Sequence, residues 1–363
     1  MHNKYMKRAL ELAKKGSRNV FPNPQVGAVI VKDNKIIGEG YHQAFGGPHA
    51  EVHAFNNATS SVEGSTMYVT LEPCSHYGKT PPCAQKIIDS RVKEVFIASI
   101  DPNPLVSGKG VKMLEDAGIK VHVGLEKEAS DALNEHFYYH VTQKIPYVTL
   151  KMATSLDGKY ATQTGDSKWI TSEASRKDVH EERSTYQAIL VGIQTIMSDD
   201  PTLNVRREGD HDKQPLRIVL DTHGRIPIES KVIQDDLETL VVTAYMTQEK
   251  QLELSKHNVK TMYCKTVNDH IDLKDMLKTL GTMGIQSIFV EGGKTVHESF
   301  LRQKLLNQII VYLAPKVLGG HTALKDLNIQ SLKEAIEFQD VTYKIIGQDI
   351  KMKGTCQSCL QEL

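Results

Sequence analysis

The sequence predicts two α/β domains in tandem. Three observations carry this. The chain has 363 residues, about twice the ~100–200 residues of a single domain. Short apolar runs alternate with helix-spaced stretches along its whole length, the pattern of layered α/β architecture. The pattern also stops near Lys144-Ile145-Pro146 and restarts, with no repeat shared between the halves. The expected domains are residues 1–145 and 146–363.

In the first half, residues 2–15 carry Tyr5, Met6, Ala9, Leu10 and Ala13 at helical spacing. Phe21-Pro22-Asn23-Pro24 forbids regular helix. Residues 26–31 and 36–41 flank the turn-prone Lys32-Asp33-Asn34-Lys35, a hairpin signal. A loop at Phe45-Gly46-Gly47-Pro48 runs into a helix over 49–58, followed by a strand over 66–71 and a loop over 72–81. Thr80 as N-cap with Pro81 behind it predicts a helix from Cys83 to about Ser90. Strands follow at 94–100 and 119–123, with a helix at 110–117 between them. Residues 126–145 read as one polar helix. In the second half, strands are expected at 147–154, 188–192, 216–221, 240–244, 287–291 and 308–313. Asp157-Gly158 is a hairpin turn signal, and Gly292-Gly293 is a tight turn before a helix over 295–305.

Lys plus Arg number 44 and Asp plus Glu number 44. The zero net charge argues against a chain-wide basic footprint, so no nucleic-acid partner is expected. No apolar run approaches the ~20 residues of a membrane helix. The stretch from Met1 to Gly16 has scattered charges and no apolar core, unlike a signal peptide. A cytoplasmic protein without membrane contact is the expectation. Five cysteines, Cys74, Cys83, Cys264, Cys356 and Cys359, are too few and too uneven for a disulfide framework. Cys356 and Cys359 have C-x-x-C spacing but no partner pair, and read as a solvated tail.

The sharpest constellation is His49-Ala50-Glu51, Pro73-Cys74 and Cys83. Zinc favours imidazole and thiolate, and a catalytic site keeps three protein ligands and one open position. His49 and Cys83 each fall at a helix start behind a proline, where free N–H groups favour a thiolate. Glu51 lies in the first turn, close to the ion without being its ligand, as proton shuttling requires. H-x-E followed by P-C and a second Cys is the signature of zinc nucleobase deaminases. That signature places two residues between its cysteines; here Ser75 to Pro82 places eight. The plainer reading makes Cys74 and Cys83 small buried hydrophobes. His53 reads as an ordinary helix residue.

Asn23-Pro24, Val26-Gly27-Ala28-Val29-Ile30-Val31, Gly47-Pro48-His49-Ala50-Glu51 and the run Thr70-Leu71-Glu72-Pro73-Cys74-Ser75-His76-Tyr77-Gly78-Lys79-Thr80-Pro81-Pro82-Cys83 resemble the bacterial bifunctional deaminase–reductases of riboflavin biosynthesis, the RibD type. The long insert between the cysteines is itself a mark of that family. The second half is similar to it at Lys151-Met152-Ala153-Thr154-Ser155-Leu156-Asp157-Gly158, Trp169-Ile170-Thr171, Asp199-Asp200-Pro201-Thr202-Leu203-Asn204-Val205-Arg206 and Glu291-Gly292-Gly293. The resemblance implies a three-layer cytidine-deaminase-like N-terminal domain and a dihydrofolate-reductase-like C-terminal one. It implies zinc-dependent hydrolytic deamination of a diaminopyrimidinone ribosylamine phosphate, then NADPH reduction of the ribosyl group to ribityl. Glu51 is then the catalytic proton carrier, and His49, Cys74 and Cys83 are the zinc ligands. Asn23, His42, Lys79, Asp101 and Asn103 are candidate contacts to the deaminase substrate. The last two follow a strand end, where ligands of open α/β sheets bind.

Without the resemblance, the second half offers little. It has no G-x-G-x-x-G fingerprint. Its Gly292-Gly293 between strand and helix suits a phosphate, and is commonly only a turn. With the resemblance, Ser167, Arg183, Leu203, Arg206 and Glu291 match substrate positions. Ala153, Trp169, Thr195, Asp199, Gly293, Lys294, Thr295, Val296, His297, Glu298 and Ser299 match NADP positions. Two arginines suit a bidentate grip on the substrate phosphate. Lys151 is a candidate for proton delivery as the ribose ring opens, and reads equally as an edge-strand lysine. Taken singly, Arg183 reads as a solvated helix charge and Trp169 as a core aromatic. Self-association is expected of such an enzyme. Two rivals stay open on the residues alone. One is an RNA-acting deaminase with an appended domain, the other a non-enzymatic zinc module with a binding domain.

Overall fold

The central strands of each unit bury residues on both faces. The computed structural model describes residues 2–76, 81–103, 106–209, 211–324, 327–356 and 359. The chain divides into two units, Met1–Lys144 and Ile145–Leu363.

In the first unit α1 (His2–Ala13) leads to β1 (Gly27–Lys32), β2 (Lys35–Tyr41), α2 (Ala50–Asn56), β3 (Thr66–Leu71), α3 (Cys83–Asp89), β4 (Glu94–Ser99), α4 (Lys109–Asp116), β5 (Lys120–Val123), α5 (Lys127–Leu133) and α6 (Glu135–Gln143). The strands form one sheet, ordered β2-β1-β3-β4-β5. The expected hairpin is there: β1 and β2 are antiparallel, and Asp33 and Asn34 both have positive φ, as a type I′ turn requires. Along β1, Val29 and Val31 face α1 with Tyr5, Met6 and Ala9. Ala28 and Ile30 face the other way, into a core shared with Ala50, Ala54, Ala84, Ile87 and Leu114. The unit is therefore three-layered.

The single helix expected over 126–145 is two. The break falls at Asn134, whose Oδ1 accepts from the Gln25 backbone N–H at 2.8 Å and whose Nδ2 donates to the Gln25 carbonyl at 3.0 Å. A long-range partner outcompetes helix continuity there.

The second unit runs β6 (Tyr147–Ser155), β7 (Lys159–Ala161), α7 (Glu173–Arg183), β8 (Ala188–Gly192), α8 (Ile193–Asp199), β9 (Leu216–Leu220), α9 (Lys231–Gln234), β10 (Thr239–Thr243), α10 (Gln248–Leu254) and β11 (Val259–Tyr263). Then come β12 (Thr266–Val267), β13 (His270–Ile271), α11 (Leu273–Thr282), β14 (Ser287–Gly292), α12 (Lys294–Arg302), β15 (Gln308–Ala314), β16 (His321–Thr322), β17 (Gln339–Ile346) and β18 (Asp349–Thr355). Nine strands build its main sheet, ordered β11-β10-β9-β8-β14-β6-β15-β18-β17. From β11 to β15 neighbouring strands are parallel; β18 and β17 are antiparallel. Ile189, Val191, Val219 and Val241 are buried on one face, and Leu150, Leu190, Ile218 and Val242 on the other. Burial on both faces explains why these strands read as unbroken apolar runs.

Three expectations change here. The chain does turn at Asp157-Gly158, where the Gly158 N–H donates to the Ser155 carbonyl at 3.0 Å. No hairpin follows, because β7 leaves the main sheet and pairs with β16. Lys151 is no edge residue: β6 lies between β14 and β15. The C-terminal cysteines are not a solvated tail. Cys356 and Cys359 are disulfide-bonded and buried in the core with Ile309 and Leu306. β18 carries the chain back into the sheet beside β15, and Cys356 donates its backbone N–H to the Asn307 carbonyl. Among the described residues no helix is long and apolar enough to cross a membrane.

Candidate functional site

In the first unit, two helix N-termini meet a strand end. His49 is the N-cap residue of α2, and Cys83 opens α3 behind Pro82, which takes the N-cap place. The Thr80 cap expectation lies outside the described residues. Cys74 follows β3, held at the mouth of α3: the Ala84 N–H donates to its carbonyl and the Cys83 N–H donates to its Sγ at 3.2 Å. The three ligand atoms lie within 4.8 Å of one another. His49 Nδ1 stands 3.3 Å from Cys83 Sγ and 3.6 Å from Cys74 Sγ. A tetrahedral zinc with ~2.0 Å Zn–N and ~2.3 Å Zn–S bonds sets N···S at about 3.5 Å. The donor set therefore fits zinc in kind, in number and in span.

The electrostatics agree. The hydrogen bond from Cys83 pulls the Cys74 thiol down to about 4, and Cys74 lifts His49 to about 9. Glu51 is buried in the first turn of α2, beside Cys83, and burial raises its carboxyl above the ordinary range. A proton carrier needs such a group.

Asn23 and His42 are brought together. His42 is buried, with Nδ1 3.0 Å from the Pro48 carbonyl and Nε2 3.0 Å from Asn23 Nδ2. Burial lowers its pKa. A neutral ring that donates from Nδ1 must accept at Nε2, so His42 aims the Asn23 amide. Asp101 and Asn103 share a turn, the Asn103 N–H donating to Asp101 Oδ1 at 2.8 Å. Lys79 lies outside the described residues.

Glu72 is the residue sequence reasoning left unassigned. Its buried carboxylate accepts from the backbone N–H groups of Asp101, Gly108, Gly110 and Val111, between 2.8 and 3.2 Å. It thereby ties the Asp101 turn and α4 to the strand end before Cys74. Gly110 allows this approach, since a Cβ there would stand 2.1 Å from the Pro73 carbonyl oxygen. The only signal was a carboxylate beside Pro73-Cys74.

In the second unit, a cleft of about 1840 Å³ opens at the C-terminal ends of the parallel strands. That exceeds the ~300–1,000 Å³ of a single-ligand pocket, as two ligands side by side require. Lys151, Ser167, Arg183, Leu203, Arg206 and Glu291 line it, as do Ala153, Trp169, Thr195, Asp199, Gly293, Lys294, Thr295, Val296, His297 and Ser299. Glu298 is not among its lining residues; its carboxylate is 3.9 Å from Lys294 Nζ. Thr222, just past β9, and Arg176 also line the cleft and were not anticipated.

Gly293, at φ 82°, is the N-cap residue of α12, so the free N–H groups of that helix border the cleft. Such a terminus is a ready phosphate cradle. His297 is buried on α12, held down to about 4 by burial, and hydrogen-bonded to the Val290 carbonyl. Trp169 is 64% exposed rather than a core aromatic, with the Arg176 guanidinium 4.2 Å from its ring centroid.

Arg183 is not a solvated charge. Its Nε and Nη2 fork onto Glu291, and Nη1 donates to the Asn204 carbonyl at 2.9 Å. Of the two arginines expected to grip the phosphate, Arg183 is engaged in this internal pair and Arg206 is exposed. Burial opposes ionisation of Glu291, but the Arg183 and Lys151 charges outweigh it and hold the carboxyl below its ordinary range. Lys151 Nζ is 3.9 Å from Glu291, and burial lowers its pKa.

Two family models match the sequence. "Cytidine and deoxycytidylate deaminase zinc-binding region" covers residues 1–99, and "RibD C-terminal domain" covers residues 146–352. The riboflavin biosynthesis protein RibD of Aquifex aeolicus is 45% identical over 346 residues, 95% of this chain and 96% of its own. That of Escherichia coli is 41% identical, over 95% of this chain and 97% of its own. The structure of Acinetobacter baumannii RibD superposes with a TM-score of 0.89 at 38% identity, covering 98% of both chains. A Thermotoga maritima diaminohydroxyphosphoribosylaminopyrimidine deaminase/5-amino-6-(5-phosphoribosylamino)uracil reductase does so with a TM-score of 0.88 at 36% identity, again over 98% of both chains.

Proposed function

The chain belongs to the RibD family, the bifunctional deaminase–reductases of riboflavin biosynthesis, and from that premise we propose a role for each half and its residues. Residues 1–145 form the zinc-dependent deaminase and residues 146–363 the NADPH-dependent reductase. The substrate is the diaminopyrimidinone ribosylamine phosphate, the class of compound the Thermotoga relative is named for. The observation that carries the reading is the His49–Cys74–Cys83 cluster with buried Glu51 beside it.

His49, Cys74 and Cys83 hold the zinc ion, which when bound supplies an acidified water at neutral pH. Glu51 would take one proton of the attacking water and pass it to the ring nitrogen, then take the second from the hydroxyl left on the ring carbon and pass it to the amine, so that the water oxygen stays as the carbonyl and the amino group departs as ammonia. The helix placement keeps Glu51 near the metal without making it a ligand. Asn23, aimed by His42, orients the base, and Asp101 and Asn103 border it.

In the second unit NADPH supplies the hydride. Gly293 and the N–H groups from Lys294 onward would hold its phosphates, with Thr195 beside Gly293 and Asp199, Trp169 and Ala153 elsewhere on the cleft lining. Glu291, Lys151 and Arg183 surround the sugar. The Lys151 ammonium, made more acidic by burial and held by Glu291, delivers the proton to the ring oxygen as the sugar opens. Positioning does the rest, since hydride transfer demands no further acid or base.

The test is NADPH oxidation by the full protein. Stripping the metal with a chelator is expected to stop oxidation on the starting diaminopyrimidinone and leave oxidation on the deaminated product unchanged. Full activity on both substrates without zinc would sink the deaminase mechanism.

The zero net charge supports a small-molecule enzyme without a nucleic-acid or membrane partner, and we assign it to the cytoplasm. A homo-oligomer is supported by the outer strands of the second unit, where Tyr343, Ile345 and Ile350 share one face and are 70%, 81% and 42% exposed. Ile345→Asp is expected to lower the mass seen by light scattering; an unchanged mass would remove this face from the assembly.

A further inference from the structure

We propose that Lys351 is a positioning residue of the reductase site: from β18 it sets the seat of α7, and through α7 it aims Arg183 at Glu291. This rests on the reductase reading above. Most helices take their place from a packed apolar face. Of the eleven residues of α7, only Ser175 and Val179 are buried, so its polar contacts must place it. Three of them do. At its start, the Ser172 backbone N–H and the Ser172 and Ser175 hydroxyls all donate to Asp349 Oδ2, at 2.6 to 2.7 Å. Midway, Lys351 Nζ donates to Asp178 and, at 2.6 Å, to Glu182 Oε1. At its end, Arg183 forks onto Glu291.

Asp349 and Lys351 are two residues apart on β18 and therefore face the same side of the sheet. Both are buried, and Lys351 lies opposite Tyr312 of β15. Tyr312, also buried, donates its hydroxyl to the same Asp178 oxygen at 2.5 Å. Asp178 and Glu182 are one turn apart on α7 and would repel each other without a cation between them. Lys351 is that cation: burial opposes its charge, but the hydrogen bonds to Asp178 and Glu182 outweigh it and raise its pKa. Glu182 directly precedes Arg183, so Lys351 grips the helix one residue from the fork. Arg183 in turn fixes Glu291, whose carboxylate is 3.9 Å from Lys151 Nζ. Lys351 is not among the residues that line the cleft; it acts on the site only through α7.

The test uses the full-length protein with Lys351→Met, which keeps a long side chain and removes the charge, and Lys351→Arg, which restores a cation. With saturating deaminated ribotide, well below the melting temperature, Lys351→Met is expected to lower kcat for NADPH oxidation about ten- to a hundred-fold, the scale of a small misplacement of reacting groups. KM for NADPH should not move, ammonia release from the diaminopyrimidinone should continue unchanged, and Lys351→Arg should recover most of the rate. The Arg183 Nε–H, locked on Glu291, should give a protected N–H resonance in nitrogen-labelled protein, identified by its absence from Arg183→Lys. Its exchange with water is expected to quicken about ten-fold in Lys351→Met and to stay slow in Lys351→Arg. A mere helix support would lower the melting temperature of Lys351→Met and leave kcat and the Nε–H exchange as in the wild type, and that result would overturn the proposal. An equal loss of kcat in the two Lys351 variants would also overturn it. If Lys351→Met does not fold, Glu182→Gln loosens the same clasp from α7 and is read in its place, with the same expected directions. If the wild type fails to oxidise NADPH with the ribotide, the reductase reading fails, and the Arg183 Nε–H exchange still decides on Lys351.

Discussion

Glu51→Gln is expected to slow deamination by about 10²- to 10⁴-fold, the usual contribution of a positioned acid–base group, with zinc content unchanged. The side chain is 3% exposed and lies against Cys83. Glutamine fills the same volume and keeps a hydrogen bond, so the fold and the metal donors stay in place. What it cannot do is carry a proton from water to the leaving amine. Ammonia release, metal analysis and NADPH oxidation by the same preparation check this together. Oxidation should vanish when the reaction starts from the diaminopyrimidinone and persist when the deaminated product is supplied. Loss on both substrates would mean that Glu51 supports folding, and full ammonia release would remove it from the chemistry.

The second large effect is expected at Arg183→Met. Glu291 keeps only 6% of its side chain exposed, and Arg183 only 13%. Removing one partner of a buried pair leaves the other uncompensated, a loss of about 3–5 kcal/mol. Lys151, at 3.9 Å, is too far to replace the fork. The same change frees the Asn204 carbonyl, so the stretch that carries Leu203 and Arg206 loses an anchor. Reductase activity should fall steeply while ammonia release continues. The pH dependence has a definite sign. In the wild type the Glu291 carboxyl is held below its ordinary ~4.3. The pair's stabilisation is then complete at neutral pH and is lost only as pH falls through the lowered value. In Arg183→Met, burial acts against Lys151 alone, the carboxyl rises, and the destabilisation should shrink as the medium is acidified towards it. Thermal unfolding followed across that range measures this. A destabilisation independent of pH would show that packing, not the charge pair, holds α7.

The three candidate zinc donors could be read from the chain because each is announced locally. Proline before His49 and before Cys83 marks a helix start, and Pro73-Cys74 marks a strand end. Metal chemistry then limits which residue types can meet there. The reductase site has no such local code. Ser167 comes from a loop, Arg183 from the end of α7, Leu203 and Arg206 from the stretch after α8 and Glu291 from the end of β14, and only their resemblance to a family named them. Even so, the resemblance could not say what Arg183 does. As one charge in His180-Glu181-Glu182-Arg183 it looks solvated, and only the packing of α7 over β14 turns its fork onto Glu291.

Local sequence thus determined the alternation of elements, the β1–β2 hairpin and the cluster of candidate metal donors, since apolar period, turn chemistry and ligand type act over a few residues. Tertiary structure decided what depends on partners far along the chain. Asn134 breaks a helix because Gln25 is 109 residues away in sequence and adjacent in space. Glu72 gathers four backbone N–H groups from a turn and helix about 30 to 40 residues on. The C-terminal cysteines enter the core because β18 finds β15. In each case a buried polar group or strand edge must be satisfied, and the partner that satisfies it is chosen by the folded geometry rather than by its neighbours in sequence.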